Sequence, residues 1–563
     1  MGFVLGLGGP YHHDASACLV ADGHVIAFAE EERFSRIKHH RHSRSAAAAA
    51  AWCLHQAGIG WSDIDEVAVA WNPHWPNRCE YLTDEDVIAE LIGPHAHHAG
   101  GPRQLTVIGH HRAHAASAFY PAGVTDAAVV VADGSGDGVA TSIHHGTRTG
   151  LHTVHEIPFT QSLGWFYQAA TTHAGLGDWT NAGKLMGLAA YGRPAIDLDF
   201  LRPTRGGYHL DLTGYGLAPS IDQTARYSDF SYYRNLHRTY SKAFTDAGVP
   251  AQPSAGYDTH RGIAADLAAS VQLLLQQCLI SVVTTAVKET GASAVCLAGG
   301  VALNCTTNGI LARTPEITSL FVQPAAGDAG CALGAALELA HRRGEYTMPG
   351  PHQTHALLGP AYDNHAIETA LHAVGANYTT PPDIAAAAAR LLADGRVIGW
   401  HQGRAEAGPR ALGARSILAD PRTTALRDRI NRDIKRRELW RPLAPSMLDL
   451  APWTTTPDGP AEFMIVAHDA TPQAQQHIPG VVHADGTLRP QRVTPDNQPT
   501  YARLLHAFEA ETGIGVVLNT SFNVPGEPIV ESPADALRSG ARLGLDALVI
   551  GDYLTIPPQN TTR

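Results

Sequence analysis

Two histidines four residues apart are the first feature of this chain that could do chemistry. His110 and His114 stand in the run HHRAHAASAFY, whose small apolar residues predict a helix. That spacing puts both imidazoles on one helix face, as two ligands of one ion require. The competing explanation is a pair of surface histidines in a chain that has 32 of them. Two aspartates favour the metal. Asp133 ends the apolar run AAVVVAD and opens the glycine loop DGSGDG, and Asp328 lies in PAAGDAG at another strand-to-helix loop. Two imidazoles and two carboxylates suit a borderline divalent ion, Fe²⁺, Zn²⁺ or Mn²⁺, and ligand type alone does not choose among them.

A second constellation is cationic. Between Arg396 and Arg441 twelve basic residues face five acidic ones, leaving +7 in a chain whose net charge is −12. Turns such as GPRALGARS and WRPLAPS interrupt this run and would fix the side chains. Fixed arginines offer forked donors to phosphate and carboxylate, so a polyanion pocket is expected rather than a solvated basic face.

Elements must hold these groups. Three glycine loops, at 6–16, 133–138 and 298–304, each follow a predicted strand. Glycine lets backbone approach a phosphate, and strand-end N–H groups favour an anion there. Three such loops in this order point to the actin-like ATPase fold. Gly299, Gly300 and Asn304 in AGGVALN, with Lys184 in GKLMGLAAYG, are candidate nucleotide contacts, although simple helix packing would explain the latter motif as well. Strands are predicted at 3–7 and 17–28 with a turn at Asp22-Gly23, and a long helix is predicted from Arg261 to Thr290, closed by Gly291. The Gly- and Pro-rich segment 344–360 has no periodicity and divides the chain. Beyond it, Asp383 can cap an alanine-rich helix, and strands are read at VIGW, VVLN and ALVIGDYLTI. Alternation of strands and helices means α/β layers in both halves, and no internal repeat is visible.

Composition sets the limits. At 563 residues the chain is too long for one core. Its net charge of −12 argues against coating nucleic acid. No run of about 18 uninterrupted apolar residues exists, so no membrane span is expected. The seven cysteines form no C-x-x-C pair and several sit in apolar runs, which predicts reduced thiols and a cytoplasmic setting. Residues 193–260 hold seven of the 17 tyrosines and little periodicity. They read as a surface insertion or as a wall for a polar acceptor.

The segments GLGG…HHDASA, FAEEERFSRIKH, HHRAHAASAFY, DGSGDG, GKLMGLAAYG and LAGGVALNC resemble the O-carbamoyltransferases of nodulation-factor and antibiotic pathways. GPRAL, RDRINRDIKRRELWRPLAPS, LRPQRV and LNTSFNVPGEPIVESPADAL continue the resemblance. The matches stay in family order from residue 5 to residue 532, thin at 72–105 and 193–260. The resemblance implies a Kae1-like, actin-type domain over 1–355 and a YrdC-like twisted α/β domain over 356–563. It implies iron on His110, His114, Asp133 and Asp328. It makes His13 and Asp14 a functional pair, with His13 able to take a proton from an attacking alcohol, and it places Lys38 near acceptor or phosphates. It assigns Arg410, Lys435, Arg441 and Arg489 to the phosphates of ATP and carbamoyl phosphate, with Mg²⁺, and Asn519 and Ser521 to the nucleotide or carbamoyl end. The implied reaction forms carbamoyl-adenylate and pyrophosphate in the second domain, then carbamoylates a hydroxyl of a small molecule in the first. No nucleic-acid or membrane partner is implied. A fused tRNA threonylcarbamoyladenosine-type enzyme and a non-catalytic actin-like nucleotide-binding regulator are the alternatives; the regulator would need neither the histidine pair nor the arginines.

Overall fold

The computed structural model describes the whole chain except residues 1, 10–12, 65, 74–82, 94–95, 97–99, 103, 217–230, 253–261 and 558–563, and the side chains of 231–234. His12, Cys79, Tyr227, Tyr257 and the predicted helix start at Arg261 fall outside the described residues or side chains, as do the side chains of Tyr232 and Tyr233. The chain forms two compact units, one of Met1–Glu31 with His42–Gln353 and one of Glu32–Arg41 with Thr354–Arg563.

The first unit contains two five-stranded sheets. β1 (Phe3–Gly8), β2 (Ser16–Ala21), β3 (His24–Glu30), β4 (Glu66–Val69) and β5 (Gln104–Val107) run in the order β3-β2-β1-β4-β5. β6 (Ala127–Gly136), β7 (Val139–Thr147) and β8 (Gly150–Pro158) join β11 (Ala294–Ala298) and β12 (Ser319–Val322) in the order β12-β11-β6-β7-β8. A hairpin of β9 (Leu201–Thr204) and β10 (Gly207–Leu210) lies between them in sequence. Each large sheet has the same plan. Its first three strands pair antiparallel as a meander, and two more add in parallel beside the first strand. This duplicated layer is the actin-like plan. The repeat is invisible in sequence because any apolar residue satisfies a buried strand position. The predicted turn at Asp22-Gly23 joins β2 to β3 with both residues at positive φ, 47° and 78°, the hairpin geometry that Asp-Gly favours.

The helix Cys331–Arg342 sets the site. It packs on β1, β2 and β4 and against the helix His110–Phe119. A Cβ on Gly334 would lie 1.8 Å from the Ala113 carbonyl oxygen, so only glycine lets these helices approach so closely. The helix Ile263–Thr290 ends at left-handed Gly291 as predicted. Its length and composition would suffice to cross a membrane, yet much of it is core: Leu267, Val271, Leu275, Leu279 and Val282 are buried, and it packs on β6 and the β9–β10 hairpin. Part of the tyrosine-rich region is also core. Tyr240 is buried in a cluster with Phe166, Phe200 and Phe244, and the Tyr208 hydroxyl meets Thr141 Oγ1 at 2.9 Å.

The second unit is built on a mixed eight-stranded sheet. Its strands are β13 (Tyr378–Thr379), β14 (Ile398–His401), β15 (Arg415–Ala419), β16 (Ala444–Met447), β19 (Gln491–Arg492), β20 (Val516–Ser521), β21 (Ala547–Ile550) and β22 (Tyr553–Thr555), in the order β13-β22-β21-β14-β15-β20-β16-β19. β17 (His468–Asp469) and β18 (Thr487–Leu488) pair separately. Alternation serves both faces. Ile417, Leu518 and Ile550 enter one core, while Leu418, Val517 and Val549 enter the other. Asp383 caps Ile384–Ala393 by accepting from Ala385 N and Ala386 N at 3.0 and 3.1 Å.

One segment departs from the sequence division. Residues 32–41, read as part of the first domain, pack with the second unit. Arg33 Nη2 donates to Gly408 O at 2.9 Å, and Arg36 donates to Ile529 O and Pro528 O at 2.7 and 2.9 Å. These arginines satisfy buried carbonyls over a separation of several hundred residues, which no local pattern reveals.

Candidate active centres

In the first unit the sheet edges bring four ligand-type side chains together. His110 and His114 lie on one face of their helix with no exposed surface. Their Nε2 atoms are 3.1 Å apart. His110 Nε2 is 3.5 Å from Asp133 Oδ2 and 3.6 Å from Asp328 Oδ1, and His114 Nε2 is 3.5 Å from Asp328 Oδ1. Donors held about 2.1 Å from one ion stand roughly 3.0–3.4 Å apart, so the quartet fits a single divalent cation. Charge agrees with geometry. Burial opposes ionisation of His110, but Asp133 and Asp328 outweigh it and lift the imidazole to about 9. Burial likewise opposes the Asp133 carboxylate, yet His110, His114 and the Gly300 N–H hold it below the usual carboxylate range. Such a pocket stabilises positive charge. Cys331 also lies near both histidines. Burial and the neighbouring aspartates push its thiol well up, so the two carboxylates are the better donors.

Supporting groups are equally specific. Asp137 accepts from the His110 N–H at 2.8 Å and from the Asn72 N–H at 3.2 Å, capping the helix of the two histidines from the far side of the glycine loop. His111 is not a ligand: its ring nitrogens meet Val139 O and Ser142 Oγ at 3.0 and 2.9 Å, and burial drives it well below neutral. Gly136 makes room for the ring of His110, since a Cβ there would stand 1.8 Å from His110 Cδ2. Gly136→Ala is therefore expected to displace the imidazole and lower metal content with all four ligands still encoded, at a stability cost of about 1–3 kcal/mol. Elemental analysis alongside a melting curve measures both.

His13 Nδ1 lies 3.1 Å from Asp14 Oδ2 and 3.8 Å from Asp328 Oδ2, and its ring packs against Trp179 with centroids 4.8 Å apart. Burial pulls its pKa down, but Asp14 and then Asp328 and Asp133 raise it overall. The glycine-loop candidates divide. Gly300 N donates to Asp133 Oδ1 at 2.8 Å and so fixes that carboxylate. Gly299, at φ 88°, lets the loop pass the Ala132 carbonyl. Asn304 caps the helix Cys305–Leu311 and exchanges two hydrogen bonds with Gln272, so its side chain is committed to the protein. Lys184 is half-buried on the helix Ala182–Ala189.

In the second unit the cationic run separates by role. Arg415 is wholly buried and donates to five carbonyls. Arg422, Arg427 and Arg429 pair with Asp420, Asp428 and Asp546. Lys435, Arg437 and Arg441 are different. Burial is the largest cause lowering each, and they lower one another: Arg437 and Arg441 act on Lys435, Arg441 on Arg437, and Arg489 on both arginines. Lys38 also acts on Lys435. The structure thus places Lys38 among the cations of the second unit. Lys435 Nζ donates to Ser521 O, Asn523 O and Asn523 Oδ1 at 2.5, 2.9 and 2.7 Å, which occupies its three protons. Ser521 Oγ donates to Asn523 Oδ1 at 2.7 Å. Asn519, 1% exposed, ties Ala411 O to Ser446 Oγ and so anchors the loop that carries Arg410. Glu406 fixes the same loop by accepting from the N–H groups of Leu412, Ala414 and Arg415.

Comparison with known proteins identifies the family. Residues 4–90 and 96–337 match the carbamoyltransferase N-terminus model, and residues 389–556 match the carbamoyltransferase C-terminus model. The chain belongs to the carbamoyltransferase family. Relatives of this carbamoyltransferase include an uncharacterized protein of Synechocystis sp., 35% identical over 99% of this chain and 98% of that one. Nodulation protein NolNO of Sinorhizobium fredii is 35% identical over 99% of this chain and 82% of its own. The 3'-hydroxymethylcephem-O-carbamoyltransferase of Amycolatopsis lactamdurans is 35% identical over 46% of this chain and 47% of its own. Among solved structures, full-length HypF in its phosphate- and nucleotide-bound form overlaps 60% of this chain and 55% of its own at TM-score 0.32 and 13% identity, too loosely to bear on the site. Of the carbamoyltransferase's supporting groups, Asp137, Glu406, Arg437 and Asn523 were not singled out from sequence. Arg437 was countable in the basic run, and Asn523 sits two residues past Ser521; the other two act through backbone bonds that carry no sequence signal.

Proposed function

We propose that the second unit makes carbamoyl-adenylate from ATP, with Mg²⁺, and carbamoyl phosphate, and that the first unit transfers the carbamoyl group to a hydroxyl of a small molecule. The observation that carries this reading is the cluster of cations in the second unit, Lys435, Arg437 and Arg441 within seven residues and Arg489 close enough to act on both arginines, where Glu438 is the one acid that acts on them. Such crowding is relieved by a polyanion, and a triphosphate with a carbamoyl phosphate supplies one. Water releases phosphate from carbamoyl phosphate to give carbamate. A carbamate oxygen then attacks the α-phosphorus of ATP, and pyrophosphate leaves. In the first unit the acceptor oxygen attacks the carbamoyl carbon, the bond to AMP breaks, and the acceptor proton passes to His13. Asp14 holds Nδ1 of that ring, leaving Nε2 as the proton acceptor. His110, His114, Asp133 and Asp328 would hold a divalent ion, Fe²⁺ preferred over Zn²⁺ or Mn²⁺, which as a Lewis acid polarises a carbonyl.

The name of the cephem relative favours an antibiotic or other secondary metabolite as the acceptor. A cytoplasmic setting suits the six buried free cysteines among the described residues. The test is to incubate the protein with ATP, Mg²⁺ and carbamoyl phosphate and to follow pyrophosphate. Adding a panel of acceptor alcohols then allows mass spectrometry to find a product heavier by one carbamoyl group. Pyrophosphate that never appears, whatever metal is supplied, removes this reading.

A further inference from the structure

We propose that Asn431 is the positioning residue of the second unit's anion site, acting through Arg437 and Arg441. The inference rests on the polyanion reading above and extends it to a residue that makes no contact with the charges of a ligand.

The backbone is unusual at this point. The helix Thr424–Arg429 runs into a π-helical turn, Ile430–Ile434, and Arg436 then adopts left-handed φ at 45°. π-turns are rare and gather at functional sites, and a left-handed arginine is strained. Both irregularities fall inside the twelve residues 430–441, which carry Lys435, Arg437 and Arg441.

Asn431 joins them. It has no exposed surface. Its Oδ1 accepts from Arg437 Nε at 2.8 Å. Its Nδ2 donates to Leu439 O at 3.2 Å and to Arg441 O at 2.9 Å, and its own carbonyl accepts from Arg437 N at 2.9 Å. One side chain therefore fixes a guanidinium and the backbone of the next arginine at once. The task needs an acceptor and two donors on one short planar group, which asparagine has. Binding Arg437 through Nε leaves both Nη amino groups for phosphate or carboxylate in a fixed fork. A loop held in this way loses little entropy when the anion arrives.

Isothermal titration of the full chain with Mg·ATP, and separately with carbamoyl phosphate, tests the proposal. Asn431→Ala is expected to weaken ATP at least about tenfold, the scale of a hydrogen bond to a charged group, and to raise KM for ATP more than it lowers kcat for pyrophosphate release. Arg437→Met should weaken ATP similarly. The double variant should be no weaker than Asn431→Ala alone, because that change already removes the Arg437 contact together with the hold on the Arg441 backbone. Independent effects that multiply, or wild-type ATP affinity in folded Asn431→Ala, overturn the proposal. Should Asn431→Ala fail to fold, Asn431→Asp decides. It keeps size and an acceptor for Arg437 but places charge on the guanidinium, so it should bind ATP more weakly, with the same non-additivity; wild-type affinity there overturns the proposal. Wild-type protein that binds neither ATP nor carbamoyl phosphate overturns the polyanion reading instead.

Discussion

Replacing His110 by alanine is expected to abolish carbamoyl transfer while pyrophosphate release from ATP and carbamoyl phosphate continues within about twofold. His110 Nε2 is the most connected donor of the quartet, within 3.1–3.6 Å of His114, Asp133 and Asp328. Without it, one imidazole and two carboxylates remain in a buried pocket. Changes to groups that merely orient ligands cost about 10–100-fold in metal affinity or activity, so loss of a ligand should cost at least about a hundredfold. The fold should survive. Asp137 still accepts the backbone N–H of residue 110, and the contact at Gly334 does not involve the imidazole. Elemental analysis should show metal lost, mass spectrometry no carbamoylated product, and a pyrophosphate assay a nearly unchanged first step. Loss of both steps at an unchanged melting temperature would show that one centre does both reactions.

The difference in legibility between the two centres has a physical cause. The cluster of His110, His114, Asp133 and Asp328 was readable because metal coordination would impose strict residue types, and because an i, i+4 pair and aspartates in glycine loops that follow apolar runs are local patterns. Helix ends were readable for the same reason at Asp383 and Gly291. The duplicated sheet was not, since burial asks only for apolar side chains. The cationic run was readable as a total and opaque in detail. Nothing in the letters separates Arg415, which donates to five carbonyls, from Arg441, which stands among cations. That distinction depends on where distant carbonyls and acids arrive. Lys38 shows the same limit, because its ten-residue segment is drawn to the second unit by Arg33 and Arg36 meeting carbonyls near residues 408 and 528.

Two arginines in one basic run should therefore fail in opposite ways. Arg441→Ala is expected to lower pyrophosphate release by roughly 10²–10³-fold, the usual effect of deleting one preorganised donor to developing charge. The ligand-free protein should melt no lower than wild type. Arg441 is held below the guanidinium range first by burial and then by Arg489, and its removal relieves both Arg437 and Lys435. Against that stands one ion pair with Glu438 at 3.6 Å, a distance at which a partly exposed pair contributes about 0–1 kcal/mol. Asn431 keeps its bond to the carbonyl of residue 441 whatever the side chain. Arg415→Ala reverses the pattern. It opens a buried cavity and removes a donor from five carbonyls: Pro360 O, Ala414 O and Glu531 O keep Ala405 N, Gln402 N and His401 Nε2, but Gln402 O and Gly403 O lose Arg415, and about 3–5 kcal/mol of stability should go with the cavity and these two carbonyls. Thermal melts and pyrophosphate assays on both variants separate the two roles: a site arginine whose loss costs chemistry without stability, and a structural arginine whose loss costs stability first. Arg441→Ala melting well below wild type would mean that the repulsion among Lys435, Arg437, Arg441 and Arg489 is already balanced within the protein, leaving no call for a bound polyanion.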